Sequence, residues 1–131
     1  MRLLIVDENA AVRRLIKSIV LPLAGEIREC ADGTDAIAAY NEQRPDLVLM
    51  DIRMNEMDGI SATKQITAAD PAAKIIIVSD YDDAALREAA MKAGACGYAL
   101  KDNLLNLIRL VEDMRQSASG QPGTETTTRT E

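Results

Sequence analysis

A chain of 131 residues is long enough for one domain with its own hydrophobic core. Its net charge of −6, with Lys and Arg scattered rather than striped, argues against direct binding to nucleic acid or to an anionic membrane surface. The absence of His removes the commonest general base and transition-metal ligand, so most hydrolase triads and zinc sites are excluded and carboxylates with hard cations remain.

Short apolar runs alternate with longer amphipathic segments. Leu3-Leu4-Ile5-Val6 predicts the first strand, ended by Asp7-Glu8. Val12, Leu15, Ile16, Ile19 and Val20 then recur at helical spacing, with Arg13, Arg14 and Lys17 opposite, and Pro22 and Gly25 punctuate the end. A weaker alternating strand is expected over Glu26 to Cys30. Asp32-Gly33-Thr34 turns into a helix through Ala36, Ile37 and Tyr40, and Pro45 ends the connection. Leu47 to Met50 is the third strand. Asp58-Gly59 starts a helix marked by Ile60, Thr63 and Ile66, closed by Asp70-Pro71. Ile75 to Val78 is an unbroken apolar strand, as a doubly covered sheet demands. Asp82 or Asp83 can cap an Ala-rich helix running to Lys92 and stopped by Gly94. Ala95 to Leu100 is the fifth strand, and Asp102 is the expected cap of a last helix with Leu104, Leu107, Ile108 and Val111 on one face.

Strict strand–helix alternation implies an α/β fold, a doubly wound parallel sheet with helices on both faces. Five strands favour the order 2-1-3-4-5. With no Phe or Trp, the core falls to Leu, Ile, Val, Met and Ala. Cys30 and Cys96 lack CxxC spacing and read as small buried apolar residues rather than a disulfide. MRLLIVDENA turns acidic too soon for a signal peptide, and no run reaches membrane-spanning length, so a cytoplasmic protein is expected. Residues 1–115 form the expected domain. Residues 116–131, rich in Thr, Ser, Gly and Pro, are expected as a disordered tail or linker stub.

In an open parallel sheet, ligands bind beyond the carboxyl ends of the strands where strand order reverses. Strand 1 ends in Asp7-Glu8, strand 3 in Asp51, strand 4 in Ser79 and strand 5 in Lys101. Like charges ~4 Å apart repel by roughly 4 kcal/mol at an effective dielectric near 20, so clustered carboxylates stabilise a fold poorly. They hold a hard divalent cation well, and Mg²⁺ suits few carboxylates plus a phosphate oxygen. Lys101 can offset charge and contact a phosphoryl oxygen, and Ser79 can hydrogen-bond another. The chemistry suggested is phosphoryl transfer onto a carboxylate.

The pieces LLIVDEN, LVLMDIRMNEMDGI, IIIVSD and GACGYALKD, in that order, resemble the receiver domains of two-component response regulators, the CheY-like family. The resemblance spans Arg2 to about Arg115. It implies that Asp51 is the phosphoacceptor, that Asp7 and Glu8 position Mg²⁺, and that the Arg53 backbone carbonyl is a further metal ligand. It assigns Ser79 and Lys101 to the phosphoryl group and Tyr98 to an aromatic switch that turns inward on activation. The implied partners are a sensor histidine kinase or phosphotransfer domain and a downstream protein target, with homodimers on activation through the last-helix face.

Three positions depart from the family pattern. Asn55 and Asp102 stand where proline is frequent, and a trans bond is predicted before Asp102. Asp80 stands where a small residue is common. The Lys101-Asp102 pair is similar to receivers of the LuxR-type branch, although no DNA-binding domain is present in this chain. Asn55 and Asp80 motivate an alternative, a phosphorylation-independent interaction module. A metal-dependent small-molecule phosphatase is a third reading, but Asp7-Glu8-Asn9 lacks the DxD arrangement and no cap is inserted to exclude water.

Overall fold

A computed structural model describes residues 1–118. Five strands form one parallel sheet: β1 (Arg2–Val6), β2 (Glu26–Cys30), β3 (Leu47–Met50), β4 (Ile75–Ser79) and β5 (Gly97–Leu100), in the spatial order β2-β1-β3-β4-β5. The helices between and after them are α1 (Ala10–Val20), α2 (Gly33–Gln43), α3 (Gly59–Ala69), α4 (Ala84–Lys92) and α5 (Leu104–Ala118). This is the doubly wound order expected from the alternation. The expected domain ends at residue 115, but α5 continues through 116–118; the rest of the expected tail, residues 119–131, lies outside the described residues.

Alternate residues of each strand feed two cores. Leu3, Ile5, Leu47, Leu49, Ile76 and Val78 pack under α1 and α5, against Ile16, Val20, Leu107 and Val111. Leu4, Val6, Val48, Met50, Ile75 and Ile77 pack on the other face, under Ala36 and Tyr40 of α2, Ala62 and Ile66 of α3, and Ala90 of α4. β3 and β4 are buried along their whole length, which is why they carry no polar alternation. β2 is an edge strand paired only with β1, and its Glu26 and Glu29 face water.

Side-chain oxygens set the helix starts. Asn9, Asp32, Asp58 and Asp83 each accept amides of the first turn of α1 to α4. The expected cap of α5 is corrected: Asn103, not Asp102, accepts the Asn106 amide, because a turn from Leu100 to Asn103 precedes the helix. β5 begins at Gly97 rather than Ala95, since the Ala95 amide donates back to the Ala90 carbonyl at the end of α4. Leu15 is half exposed, so the buried face of α1 is narrower than its apolar spacing. Leu110 and Met114 complete the face of α5, where Ile108 is only partly buried. The cysteines are both free, with Cys96 exposed and Cys30 half-buried, so neither is the fully buried apolar residue expected. Every peptide bond among the described residues is trans, Lys101–Asp102 included. None of the described helices is long and apolar enough to cross a membrane.

Candidate functional site

Parallel register brings the carboxyl ends of four strands level. Val6 pairs with Met50, Met50 with Ile77, and Ser79 with Leu100, so the next residues emerge side by side. The Asp51 amide donates to the Val6 carbonyl at 2.8 Å, and the Lys101 amide to the Ser79 carbonyl at 2.8 Å. Asp7, Glu8, Asp51, Arg53, Ser79, Asp80, Tyr81 and Lys101 thus share a crevice of about 300 Å³. A larger groove of about 460 Å³ lies beyond the other end of the sheet, but its one carboxylate, Asp46, already accepts the Arg2 amide.

Asp51 sits at the bottom, 8% exposed. The start of α3 presses on it: a Cβ at Gly59 would lie 1.8 Å from the Asp51 carbonyl oxygen, so only glycine allows this approach. Asp7 is 2% exposed; its Oδ1 accepts the Asn9 amide at 2.9 Å. Arg13 of α1 donates to the Asp7 carbonyl at 2.6 Å and pairs with Glu29, steadying the same turn. The Lys101 ammonium reaches both carboxylates, 2.8 Å from Asp7 Oδ2 and 3.1 Å from Asp51 Oδ1, with Asp80 Oδ2 at 3.9 Å. The Ser79 hydroxyl accepts the Tyr81 amide at 3.0 Å and is buried.

These contacts shape the charges. Burial pushes the Asp51 carboxyl up and the Asp7 charge adds to it, while Lys101 pulls the other way. Burial works against the Lys101 ammonium, but Asp7 and Asp51 more than offset it and hold it above its usual value. Asp7 Oδ2 is buried without a hydrogen bond, its close neighbour being the lysine ammonium at 2.8 Å. A buried carboxylate oxygen paired only with a lysine ammonium, in an all-oxygen set, is a donor a hard cation can use. As they stand, no three acidic or thiol side chains among the described residues are gathered closely enough to hold one. Glu8 is exposed on the rim, and Lys101 bridges Asp7 and Asp51.

Asp7, Asp51, Ser79 and Lys101 therefore converge as their positions at the strand ends predict, and Glu8 and Arg53 line the rim. Tyr98 lies outside the crevice, 8% exposed in β5, with its hydroxyl donating to the Tyr81 carbonyl at 2.8 Å. Two features went unnoticed in the sequence. The Arg53 guanidinium stacks over the Tyr81 ring at 4.7 Å, across the mouth of the crevice. Arg87 of α4 lies 4.6 Å from the Tyr98 ring and pairs with Asp82. An aromatic two residues past Ser79, in a chain with only three Tyr and no other aromatic, was the available signal for the first.

The sequence matches the response regulator receiver domain family over residues 3–113. It is 43% identical to the chemotaxis protein CheY of Thermotoga maritima, over 76% of this chain and 84% of that protein. Among solved structures, the fold is similar to the signal receiver domain of the response regulator NarL from Mycobacterium tuberculosis, with a TM-score of 0.78 at 26% identity, covering 88% of this chain and 95% of that one. It is likewise similar to a chain of the CheX–CheY complex with beryllofluoride and Mg²⁺ from Borrelia burgdorferi, with a TM-score of 0.77 at 25% identity, covering 85% and 88%.

Proposed function

Because the chain belongs to the response regulator receiver domain family, we propose that Asp51 accepts a phosphoryl group from a histidine kinase or phosphotransfer domain and that the modified receiver changes a protein-binding surface. The observation that carries this reading is the convergence of Lys101 on Asp7 and Asp51 at 2.8 and 3.1 Å in a crevice open to a donor.

In the proposed transfer an Asp51 carboxylate oxygen attacks the phosphorus of a phosphohistidine. The new P–O bond forms as the P–N bond breaks, and the electron pair leaves with the imidazole nitrogen. Asp51 must be ionised to attack, and Lys101 beside it favours that form against burial. The Lys101 ammonium can move from Asp51 to a phosphoryl oxygen, and the Ser79 hydroxyl, which accepts the Tyr81 amide through a lone pair, keeps its O–H to donate to another. Asp7, Glu8, Asp51 and the Arg53 carbonyl would hold Mg²⁺. Bound there, the cation would offset the carboxylate charge and the charge that develops on the phosphoryl oxygens. The chain's own chemistry is limited to gaining and losing that group.

The relative from B. burgdorferi, solved with beryllofluoride and Mg²⁺, supports the same ligand chemistry here. A chain with no apolar span among its described residues suits a cytoplasmic relay. The test is acetyl phosphate or beryllofluoride with Mg²⁺, read by intact mass and by NMR. Wild type is expected to gain one phosphoryl group and Asp51→Asn none. No gain in wild type, or an equal gain in the variant, sinks the reading.

A further inference from the structure

The loop from Asp51 to Asp58 carries the phosphoacceptor at its start and the Arg53 carbonyl near its middle. Its base is closed by backbone, with the Asp51 amide on the Val6 carbonyl and the Gly59 amide on the Ile52 carbonyl, both at 2.8 Å. Its tip is held by a side chain from another element. Asp32 Oδ1 accepts the Glu56 amide at 3.0 Å and the Met57 amide at 3.3 Å. Asp32 Oδ2 accepts the Thr34 amide at 2.9 Å and caps α2.

Capping α2 uses only one carboxylate oxygen. The second reaches a loop 24 and 25 residues further along the chain. Contact confirms the pressure of α2 on that loop: a Cβ at Gly33 would lie 2.6 Å from the Met57 carbonyl oxygen. Burial pushes the Asp32 carboxyl up, yet the amides of Thr34, Glu56 and Met57 hold it below the usual carboxylate range, so it is ionised and a strong acceptor at neutral pH. Between the closed base and the clamped tip only Arg53, Met54 and Asn55 remain. Arg53 is also held by its stacking on Tyr81 and Met54 by packing against the core, whereas Asn55, next to the clamped tip, has no ring to fix its φ.

We propose that Asp32 is a positioning residue for phosphoryl acceptance: it fixes the tip of the phosphoacceptor loop and, through it, the orientation of the Arg53 carbonyl toward the cation. This rests on the reading of Asp51 and Arg53 above.

Asp32→Ser separates the two jobs of the side chain. A serine hydroxyl still caps α2 but is too short to reach Glu56 and Met57. The Mg²⁺ dissociation constant is expected to rise five- to tenfold, and phosphoryl gain at low Mg²⁺ to slow in proportion, with the unfolding midpoint within a few degrees of wild type. Asn55→Pro added to Asp32→Ser is expected to recover most of the loss, because a fixed φ orders the unclamped stretch. An unchanged Mg²⁺ affinity overturns the proposal, and so does a loss that follows stability and is not recovered by Asn55→Pro. Amide exchange without metal separates this failure from failure of the functional reading. Protection at Glu56 and Met57 is expected to drop about tenfold in Asp32→Ser, and unchanged protection overturns the clamp even if wild type takes no phosphoryl group.

Discussion

Lys101 Nζ stands 2.8 Å from Asp7 Oδ2, closer than its 3.1 Å to Asp51 Oδ1. The lysine is thus a built-in counter-ion for the oxygen that a cation would use. A unit charge ~4 Å away is worth roughly 4 kcal/mol at an effective dielectric of 20, and a third of that is about tenfold in affinity. Lys101→Met is therefore expected to tighten Mg²⁺ binding by about tenfold and to slow phosphoryl acceptance by tenfold or more. Magnesium titration by NMR beside acetyl-phosphate labelling reads both. Weaker Mg²⁺ binding in the variant would contradict the competition.

Asp51 carries a cost to the fold. Burial, then the Asp7 charge, push its carboxyl up, with Lys101 only partly compensating. A raised carboxyl binds its proton more tightly folded than unfolded, so the ionised group lowers stability above both values. The cost disappears as pH falls below the ordinary carboxylate range. Asp51→Asn, which leaves Lys101 paired with Asp7, is expected to raise the unfolding midpoint by about 2–5 °C at pH 7 without metal. The gain should narrow near pH 4. Thermal melts followed by circular dichroism decide it; a lower midpoint at pH 7 removes the argument.

The strand ends made most of the site legible. Apolar runs ending in Asp7, Asp51, Ser79 and Lys101 needed only a parallel register to converge, and the register supplied it. The helix starts at Asp32 and Asp58 were legible as turn chemistry, and Asp83 as one of two candidate caps beside Asp82, because a short acceptor before a helix has a local purpose. Asp102 and Asn103 are adjacent acceptors of equal local merit, and the turn closed by the Leu100 carbonyl chose between them. Leu15 kept the helical period yet faces water, since period alone does not say how wide a face the sheet covers. The pairs Arg53–Tyr81, Arg87–Tyr98 and Asp32–Glu56 join different elements or loops rather than neighbours within one element. Their partners are set by tertiary placement, and local pattern does not encode it.

Tyr98 is held inward by two contacts that need no phosphoryl group. Its hydroxyl bonds the Tyr81 carbonyl, and the Arg87 guanidinium covers its ring while pairing with Asp82 at 3.1 Å. Arg87→Ala should release the ring to sample outward rotamers, at a cost of about 1 kcal/mol. Arg87→Lys should restore little, because an ammonium neither stacks flat on the ring nor forks to Asp82. Side-chain couplings and ring shifts of Tyr98 by NMR give the rotamer populations. A single unchanged rotamer in Arg87→Ala would show that the guanidinium does not hold the ring.

Tyr40 of α2 and Asp70 at the end of α3 form a second polar lock, away from the crevice. The Tyr40 hydroxyl donates to Asp70 Oδ2 at 2.7 Å, and Arg44 reaches the same oxygen at 2.9 Å. Burial and then the Asp70 bond push the Tyr40 hydroxyl up to about 12, from an ordinary value near 10. The Tyr40 bond, opposed by burial and aided by the Ala72 amide and Arg44, holds the Asp70 carboxyl below its ordinary range. The two signs differ. Tyr40 contributes stability fully present below pH 10 and lost as pH rises from 10 to about 12. Asp70 contributes stability present above the ordinary carboxylate range and lost as pH falls through its lowered value. Tyr40→Phe should cost about 1 kcal/mol at pH 7 and flatten the decline between pH 10 and 12. Tyrosinate absorbance should lose the Tyr40 step at about pH 12 in the same variant. Urea midpoints measured across pH test both, and a decline equally steep in Tyr40→Phe would assign the alkaline loss to another group.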